Sequence, residues 1–207
     1  TKVVNAPNLK GWNNKSFKSV LEKNLKAKVY LENDTAMVAL GETYYGPGKR
    51  FKNKGIITYI TISTGVGGAR IVDGKIDRNA YGFEIGSQII DAASSIGNLE
   101  SYISGKSVFN HTGKKPIEIR DKKFWDFEAK LLAYGLNNTI VHWSPDIVIL
   151  GGSMMNKIGI SLDRVKIHLN KILTIYPEKP KLVHSSLGDL GGLYGSMVYL
   201  SQEIGKH

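Results

Sequence analysis

A helix pattern followed by a wholly apolar strand most constrains the fold of this chain. Residues 124–143 carry apolar side chains at helical spacing, which predicts an amphipathic helix with a wide apolar face. Pro145 ends it, since proline cannot continue a helix. Ile147-Val148-Ile149-Leu150 then reads as a strand buried on both faces, ending in Gly151-Gly152-Ser153. A strand covered on both faces, next to a long helix, is typical of an α/β domain.

The remaining periodicity repeats this alternation of helices and strands along the chain. Two adjoining strands are predicted at 55–63 and 68–72, and Asp73-Gly74 is a good hairpin signal at the end of the second. Further helices are predicted at 17–25, 34–44, 158–173 and 193–204, and further strands at 29–31 and 181–184. The pattern therefore favours α/β throughout.

Composition excludes some functions and leaves others open. The chain of 207 residues has no cysteine, so it forms neither a disulfide nor a thiolate metal site. No apolar run approaches the roughly 18–20 residues of a membrane span, and no secretory leader is seen. We therefore expect a cytoplasmic protein without a membrane partner.

The chain has a formal net charge of +10, which allows two interpretations. Its lysines are scattered and no arginine-rich tract appears, so we do not expect a nucleic-acid partner. Either the lysines are a solvated surface, or they attract small anions such as ATP and sugar phosphates.

An acidic segment, Glu32-Asn33-Asp34, follows the short apolar run 29–31. A carboxylate at the end of a strand can serve as a general base. Asp34 also opens the helix pattern of 34–44, and aspartate is a favoured N-cap. Spacing alone leaves both roles open.

A glycine-rich segment, Ser63-Thr64-Gly65-Val66-Gly67-Gly68, follows the strand 55–63. The backbone N–H groups of such a turn can bind phosphate oxygens. A carboxylate and a phosphate-binding turn in one domain suggest phosphoryl transfer to a hydroxyl group.

Seven segments, in chain order, resemble motifs of the ROK family (repressor, open reading frame, kinase), whose members include bacterial glucokinases. They are P-N-L-K-G-W (7–12), E-N-D with A-L-G-E (32–34 and 39–42), T-G-V-G-G (64–68), G-F-E-I-G (82–86), L-E-S-Y-I-S-G (99–105), P-D-I-V-I-L-G-G (145–152) and G-D-L-G-G-L-Y-G (188–195). Ser63 stands where the family has the first glycine of G-T-G-V-G-G. One glycine motif is weak evidence, but seven ordered matches are strong.

The resemblance implies an actin-like ATPase (ribonuclease H-like) fold, in which ATP with Mg²⁺ and a hexose meet in a cleft between two α/β lobes. By this likeness 1–33 is a remnant of the N-terminal lobe and 34–190 is the C-terminal lobe. Residues 191–207 form a C-terminal helix that packs back towards the N-terminal lobe. Dimers are common in the family, so a homodimer is also implied.

The resemblance also assigns roles to individual residues. Asp34 is implied as the general base that takes the proton of the attacking sugar hydroxyl. The implied sugar-binding residues are Asn8, Asn33, Glu84, Ser87 and Glu100. The implied nucleotide-binding residues are Thr64, Gly65 and Gly67 at the phosphates and Gly151 and Gly152 on the adenine side.

Four of these assignments have a purely structural alternative. Glu84 is otherwise an exposed loop carboxylate, and Glu100 caps a helix or interacts with its dipole. Gly151 and Gly152 are otherwise a plain strand-to-helix turn.

The chain departs from the family in two places. Ser87 replaces a zinc-ligating histidine that also touches the sugar, the cysteines of the zinc loop are missing, and the stretch 88–99 is too short for that loop. No zinc is therefore expected. The family's D-x-G-G-T segment, which holds ATP phosphates and Mg²⁺, precedes the P-N-L loop, whereas this chain begins almost at that loop.

Three hypotheses follow. The chain belongs to an ATP-dependent hexose kinase, to a sugar-binding transcriptional regulator with a preceding helix-turn-helix domain, or to a non-catalytic remnant of the family.

Overall fold

Two compact units make up the chain, divided between Asn33 and Asp34. The computed structural model describes residue 11 and residues 15–95 and 97–205. In the first unit a single helix is described, α1 (Phe17–Leu25), which ends where Lys26 adopts left-handed backbone angles.

The predicted strand at 29–31 is wrong. These residues form no strand, and the Val29 N–H donates to Oε1 of Glu22 at 3.1 Å. A strand requires a neighbouring strand to pair with, and three apolar residues in sequence carry no information about one.

The second unit is built on one five-stranded sheet of order β3-β2-β1-β4-β5. Its strands are β1 (Ile56–Ile62), β2 (Val66–Val72), β3 (Lys75–Ile76), β4 (Ile147–Gly151) and β5 (Lys181–His184). β2 is antiparallel to β1 and β3, whereas β1, β4 and β5 run parallel. Parallel neighbours bring the ends of β1 and β4 to the same edge of the sheet, and the candidate site forms there.

Helices cover both faces of this sheet. They are α2 (Asp34–Tyr44), α3 (Leu99–Ile103), α4 (Gly105–Thr112), α5 (Lys122–Trp143), α6 (Leu162–Ile172) and α7 (Gly191–Ile204). Residues of α3 to α6 pack in one hydrophobic cluster and those of α2 and α7 in another.

Strand β4 shows why the sheet is covered twice. Val148 and Leu150 belong to the cluster of α3 to α6, and Ile147 and Ile149 to that of α2 and α7. Alternate side chains of a strand point to opposite faces, so a wholly apolar strand is stable only between two layers. The predicted α/β class is confirmed.

The approach of α2 to α7 is unusually close. A Cβ atom at Gly41 would lie 2.2 Å from the carbonyl oxygen of Gly191, and one at Gly195 would lie 1.7 Å from that of Met37. Glycine at both positions lets the backbones touch. The last helix thus lies in the same unit as 34–190, and its predicted packing towards an N-terminal lobe stays a prediction.

Several element boundaries differ from those predicted. β2 begins at Val66 instead of residue 68, and α6 begins at Leu162 instead of residue 158. The Ile160 N–H donates to the carbonyl of Met154 at 2.8 Å, which holds the segment before α6 outside the helix. The Asp73-Gly74 hairpin is confirmed, with positive φ angles of 49° and 73°. Within the described ranges no helix has the length and apolarity to cross a bilayer.

Candidate active site

The glycine-rich segment is a short hairpin turn between β1 and β2. Ile62 pairs with Val66, so only Ser63, Thr64 and Gly65 lie outside the strands, and the predicted turn is shorter than its motif. The Ser63 N–H donates to the carbonyl of Gly65 at 2.8 Å. The N–H groups of Thr64 and Gly65 donate to no described residue, so both remain available to a ligand.

Neighbouring elements hold this turn in shape. The N–H groups of Gly105 and Lys106, at the start of α4, donate to the carbonyls of Ser63 and Thr64 at 2.7 and 3.3 Å. On the other side Oε2 of Glu100 accepts the N–H of Val66 at 2.7 Å. The turn therefore needs no ligand to define its backbone.

Glu100 lies in the first turn of α3 but does not cap it. Asn98 is the N-cap, and its side chain accepts the N–H of Ser101. A Cβ atom at Gly65 would lie 2.8 Å from Oε2 of Glu100, so this glycine permits the carboxylate to approach the turn. The alternative of Glu100 as a helix cap is wrong, while its interaction with the helix dipole stays a prediction because it lies in the first turn.

Asp34 is the first residue of α2 and is exposed. Its Oδ1 accepts the N–H of Thr35 at 2.7 Å, while its Oδ2 accepts from no described residue. Gly67, in β2, lies beside this helix end, and a Cβ atom there would be 2.8 Å from Oγ1 of Thr35. One carboxylate oxygen thus stabilises the helix start and the other is free for chemistry.

A cavity of about 480 Å³ joins the predicted base to the phosphate turn. Asp34, Thr64, Gly65, Gly67 and Glu100 all line it. Five of the sequence-predicted site residues therefore meet in one place.

A larger cavity of about 960 Å³ adjoins the first. Asp34 lines both, and Gly151 and Gly152 line the larger one. Gly152 has a φ of +93°, and a Cβ atom there would lie 2.1 Å from the carbonyl oxygen of Ile62. The chain path after β4 therefore requires glycine at 152, whatever the cavity binds.

A third cavity, of about 720 Å³, starts at Ser63 and Thr64 and is lined by Phe109, Met154 and Ile158. Ser63 lines all three cavities. Its hydroxyl lies 3.2 Å from that of Ser153, in the loop after β4. The residue that departs from the family motif thus lies where the cavities meet.

Glu84 and Ser87 are exposed and line none of these three cavities. The residues between them lie close to the turn, since a Cβ atom at Gly86 would be 3.3 Å from Cβ of Glu100. Glu84 and Ser87 thus flank a segment that contacts the site.

Two predicted sugar-binding residues are not placed in the second unit. Asn33 belongs to the first unit, is exposed, and donates its N–H to Oε1 of Glu32. Asn8 lies outside the described residues, as does most of the P-N-L loop.

Glu42 was given no role from the sequence, yet it organises one wall of the larger cavity. It is fully buried in α2, and its Oε1 accepts the N–H groups of Ser186 and Leu187, both at 2.9 Å. The loop it binds supplies Ser185, Gly188 and Asp189 to the cavity lining. Two sequence signals pointed to it, its place in the A-L-G-E segment and its acidic side chain on an apolar helix face.

Tyr59 is a second residue that the sequence did not single out. It lines both cavities that contain Asp34, although it is only 4% exposed. Burial raises its pKa to about 12, a hydrogen bond with Thr61 opposes that rise, and the charge of Glu42 adds to it. Tyr59 therefore stays a neutral hydrogen-bonding phenol at physiological pH.

No group of three or more metal-ligating side chains occurs among the residues that the structure describes. The two cavities that Asp34 lines, which we call the Asp34 cleft, also have the carboxylates of Glu100 and Asp189 in their linings.

Residues 1–203 match the family model described as the ROK family. The chain belongs to the ROK family. Among curated relatives it is 26% identical to a putative fructokinase of Bacillus subtilis, covering 94% of this chain and 70% of that protein. It is also 26% identical to the xylose repressor of Bacillus spizizenii, covering 90% of this chain and 54% of that protein.

Solved structures of ROK proteins share its fold. A ROK glucokinase from Streptomyces griseus, crystallised with glucose and AMPPNP, superposes with a TM-score of 0.73 at 22% identity. The match covers 89% of this chain and 72% of that one. The predicted family and actin-like fold are confirmed, and its ROK relatives include both sugar kinases and repressors.

Proposed function

We propose that this chain forms the sugar- and nucleotide-binding part of a cytoplasmic ATP-dependent hexose kinase, with Asp34 as general base. One observation carries the proposal. The free Oδ2 of Asp34 and the free N–H groups of Thr64 and Gly65 line the same cavity. A proton acceptor and phosphate-binding donors in one cleft are what phosphoryl transfer to a hydroxyl requires.

In this mechanism Oδ2 of Asp34 takes the proton of the sugar hydroxyl. The hydroxyl oxygen bonds to the γ-phosphorus as the bond from that phosphorus to the β–γ bridging oxygen breaks, and ADP leaves. The N–H groups of Thr64 and Gly65 bind the phosphate oxygens and stabilise their charge. Asn8, Asn33, Glu84, Ser87 and Glu100 are proposed to bind the sugar.

The apolar third cavity is the proposed place for adenosine. Phe109, Met154 and Ile158 offer it a nonpolar surface, and the cavity opens at Ser63 and Thr64, where the phosphates would lie. Gly151 and Gly152 line the neighbouring cavity, and Ser153 lines both.

Magnesium fits this arrangement. Bound with ATP it would neutralise phosphate charge, and it needs only one or two protein carboxylates because phosphates and waters complete its shell. Asp189, which lines the larger cavity, would supply one carboxylate to it.

The test is an ADP-release assay of the complete polypeptide with a panel of hexoses, comparing Asp34→Asn with the wild type. We expect turnover of at least one hexose, and a kcat lowered roughly 100- to 10,000-fold in Asp34→Asn with a much smaller change in KM. Asp163→Asn, at an exposed position of α6 that lines none of these three cavities, is the matched control and should behave as wild type.

Turnover by Asp34→Asn at the wild-type rate would contradict the assignment of the base. The likeness to a xylose repressor supports a sugar-binding regulator as the second candidate. Saturable binding of a sugar without turnover of any hexose would favour that regulator, and binding of neither sugar nor ATP would favour the remnant.

A further inference from the structure

A fourth cavity, which we call the basic pocket, lies apart from the Asp34 cleft. It has a volume of about 590 Å³ and lies between the start of α5, the segment before α6, and the first turn of α6. Its charge and its aromatic surface come from Arg120, Lys122, Lys123, Trp125, Lys157 and Arg164. Neither Asp34 nor the phosphate turn contributes to it.

The basic pocket collects positive charge without matching negative charge. Five cationic side chains line it, against a single carboxylate, that of Asp126. Oδ1 of Asp126 already accepts a hydrogen bond from Nε of Arg164 at 2.6 Å and lies 2.8 Å from Nε2 of His168. These two bonds hold the pKa of Asp126 well below its usual range, so it stays ionised and occupied.

The other four cations have no such partner. In the described part of the chain Arg120, Lys122, Lys123 and Lys157 form no ion pair. Like charges around one concave surface raise its potential and draw in anions.

The floor of the basic pocket is apolar. Trp125 is only 8% exposed, and its indole N–H donates to the carbonyl of Ile119 at 2.9 Å. Its one polar atom is thereby satisfied, so Trp125 offers the cavity nonpolar surface. Half-buried Ile158, in the segment before α6, adds to that surface. Cations around an apolar floor suit an anion that carries a ring or a short carbon chain.

We propose that the basic pocket is a binding site for a small organic phosphate, separate from the site of the transferred phosphate. The carbon skeleton packs on Trp125 and Ile158, and the phosphate lies among Arg120, Lys122, Lys123 and Lys157. Lys157 and Ile158 also line the third cavity, so the two cavities share a wall. Binding here does not depend on the chain being a kinase.

Phenyl phosphate is the probe, because it joins an aromatic ring to a phosphate dianion. The wild-type chain is titrated while the side-chain N–H signals of its three tryptophans are followed by NMR, with Trp125→Phe identifying the relevant signal. We expect the Trp125 signal to shift saturably, and inorganic phosphate to bind at least roughly fivefold more weakly because it lacks the apolar contact.

Charge-reversed variants separate a site from general attraction. Lys122→Glu/Lys123→Glu should weaken binding at least roughly tenfold, since two cations of the basic pocket become anions. Lys166→Glu/Lys171→Glu changes the net charge equally at exposed positions of α6 outside the basic pocket, and should leave affinity within about twofold. The single variant Lys157→Gln, with less risk to folding, should weaken binding by a smaller factor.

Three results would overturn the proposal: no shift of the Trp125 signal, equal weakening in both double variants, or full displacement of phenyl phosphate by AMPPNP. The last would merge the basic pocket with the nucleotide site. If the wild type phosphorylates no hexose of the panel but still binds phenyl phosphate, the kinase proposal is overturned and this proposal is not, so the two proposals fail separately.

Discussion

At the scale of single residues, Gly152 is fixed by two independent constraints. Its φ of +93° is costly for any side chain, and a Cβ atom would lie 2.1 Å from the backbone of Ile62. The position must stay glycine for β4 to be followed by this loop, even in a protein that binds no nucleotide. Glycine here is thus weak evidence for an adenine site and strong evidence for the path of the chain.

Gly152→Ala is therefore expected to lower the free energy of unfolding by roughly 2–4 kcal/mol, as strain and overpacking combine. Urea denaturation measures it. Gly188→Ala, with a φ of +52° and no neighbour within 4 Å, isolates the backbone term and should cost about 1 kcal/mol. Equal losses in the two variants would show that the contact with Ile62 does not matter.

Glu42 is the residue whose role depends most on the fold. Its partners Ser186 and Leu187 lie 144 and 145 positions away in sequence. Only the packing of α2 against the loop after β5 brings them together, so no local pattern could reveal the contact.

Glu42→Leu leaves two backbone N–H groups without their acceptor and should lower the free energy of unfolding by about 2–5 kcal/mol. Glu42→Gln retains an acceptor oxygen and should cost less. Glu178→Gln, at an exposed position, is the control. If Glu42→Leu unfolds at the same urea concentration as wild type, the carboxylate does not stabilise that loop.

At the scale of elements, local signals predicted what local forces determine. The helix ending before Pro145, the apolar strand β4 and the Asp73-Gly74 hairpin all follow from short-range chemistry and were predicted. The strand at 29–31 was wrong because pairing is a long-range property. The start of α6 was placed too early because a backbone contact, Ile160 to Met154, competes with the helix.

In the site, too, residue types could be predicted from the sequence and long-range contacts could not. The positions of Asp34, Thr64, Gly65, Gly67 and Glu100 in one cavity followed from the family resemblance. The hydrogen bond from Val66 to Glu100 did not, since a motif records residue types and not their partners.

The contact between α2 and α7 yields a prediction at this scale. Gly41→Ala should lower the free energy of unfolding by at least roughly 2 kcal/mol, because the new methyl group meets the backbone of Gly191 and the helices must separate. Amide hydrogen exchange in α7 should accelerate in that variant. Gly192→Ala is the control, one position after Gly191 in α7. A Cβ atom there would meet its nearest neighbour at 3.8 Å, so this variant should be neutral or stabilising. Unchanged exchange in Gly41→Ala would mean that the helices are not in backbone contact.

At the scale of the whole molecule, one buried carboxyl group in α5 links stability to pH. Glu128 is 4% exposed, its Oε2 has no hydrogen-bond partner among the described residues, and burial raises its pKa from 4.5 to about 8. Between these two values the folded state binds a proton that the unfolded state has lost. The contribution of Glu128 to stability is therefore fully present below about pH 4.5 and falls as the pH rises to about 8.

Glu128→Gln removes this dependence. Its free energy of unfolding relative to wild type should increase from pH 5 to pH 8.5, by about 1.4 kcal/mol for each unit of pKa displacement. Urea denaturation across this range measures the difference. Glu178→Gln should show a flat difference, and a flat difference for Glu128→Gln would mean that Glu128 titrates normally.

The hydrogen bond between Glu100 and Val66 has a consequence for how experiments on this protein are read. A substitution made to test the proposed sugar-binding role of Glu100 would also remove the acceptor of the Val66 N–H, next to the proposed phosphate-binding turn. Any lost activity would then report two defects at once. Kinetics of such a variant need a structural readout of the 63–65 loop, for example its amide chemical shifts. Without that readout, weaker sugar binding and a distorted 63–65 loop would lower the measured activity in the same way.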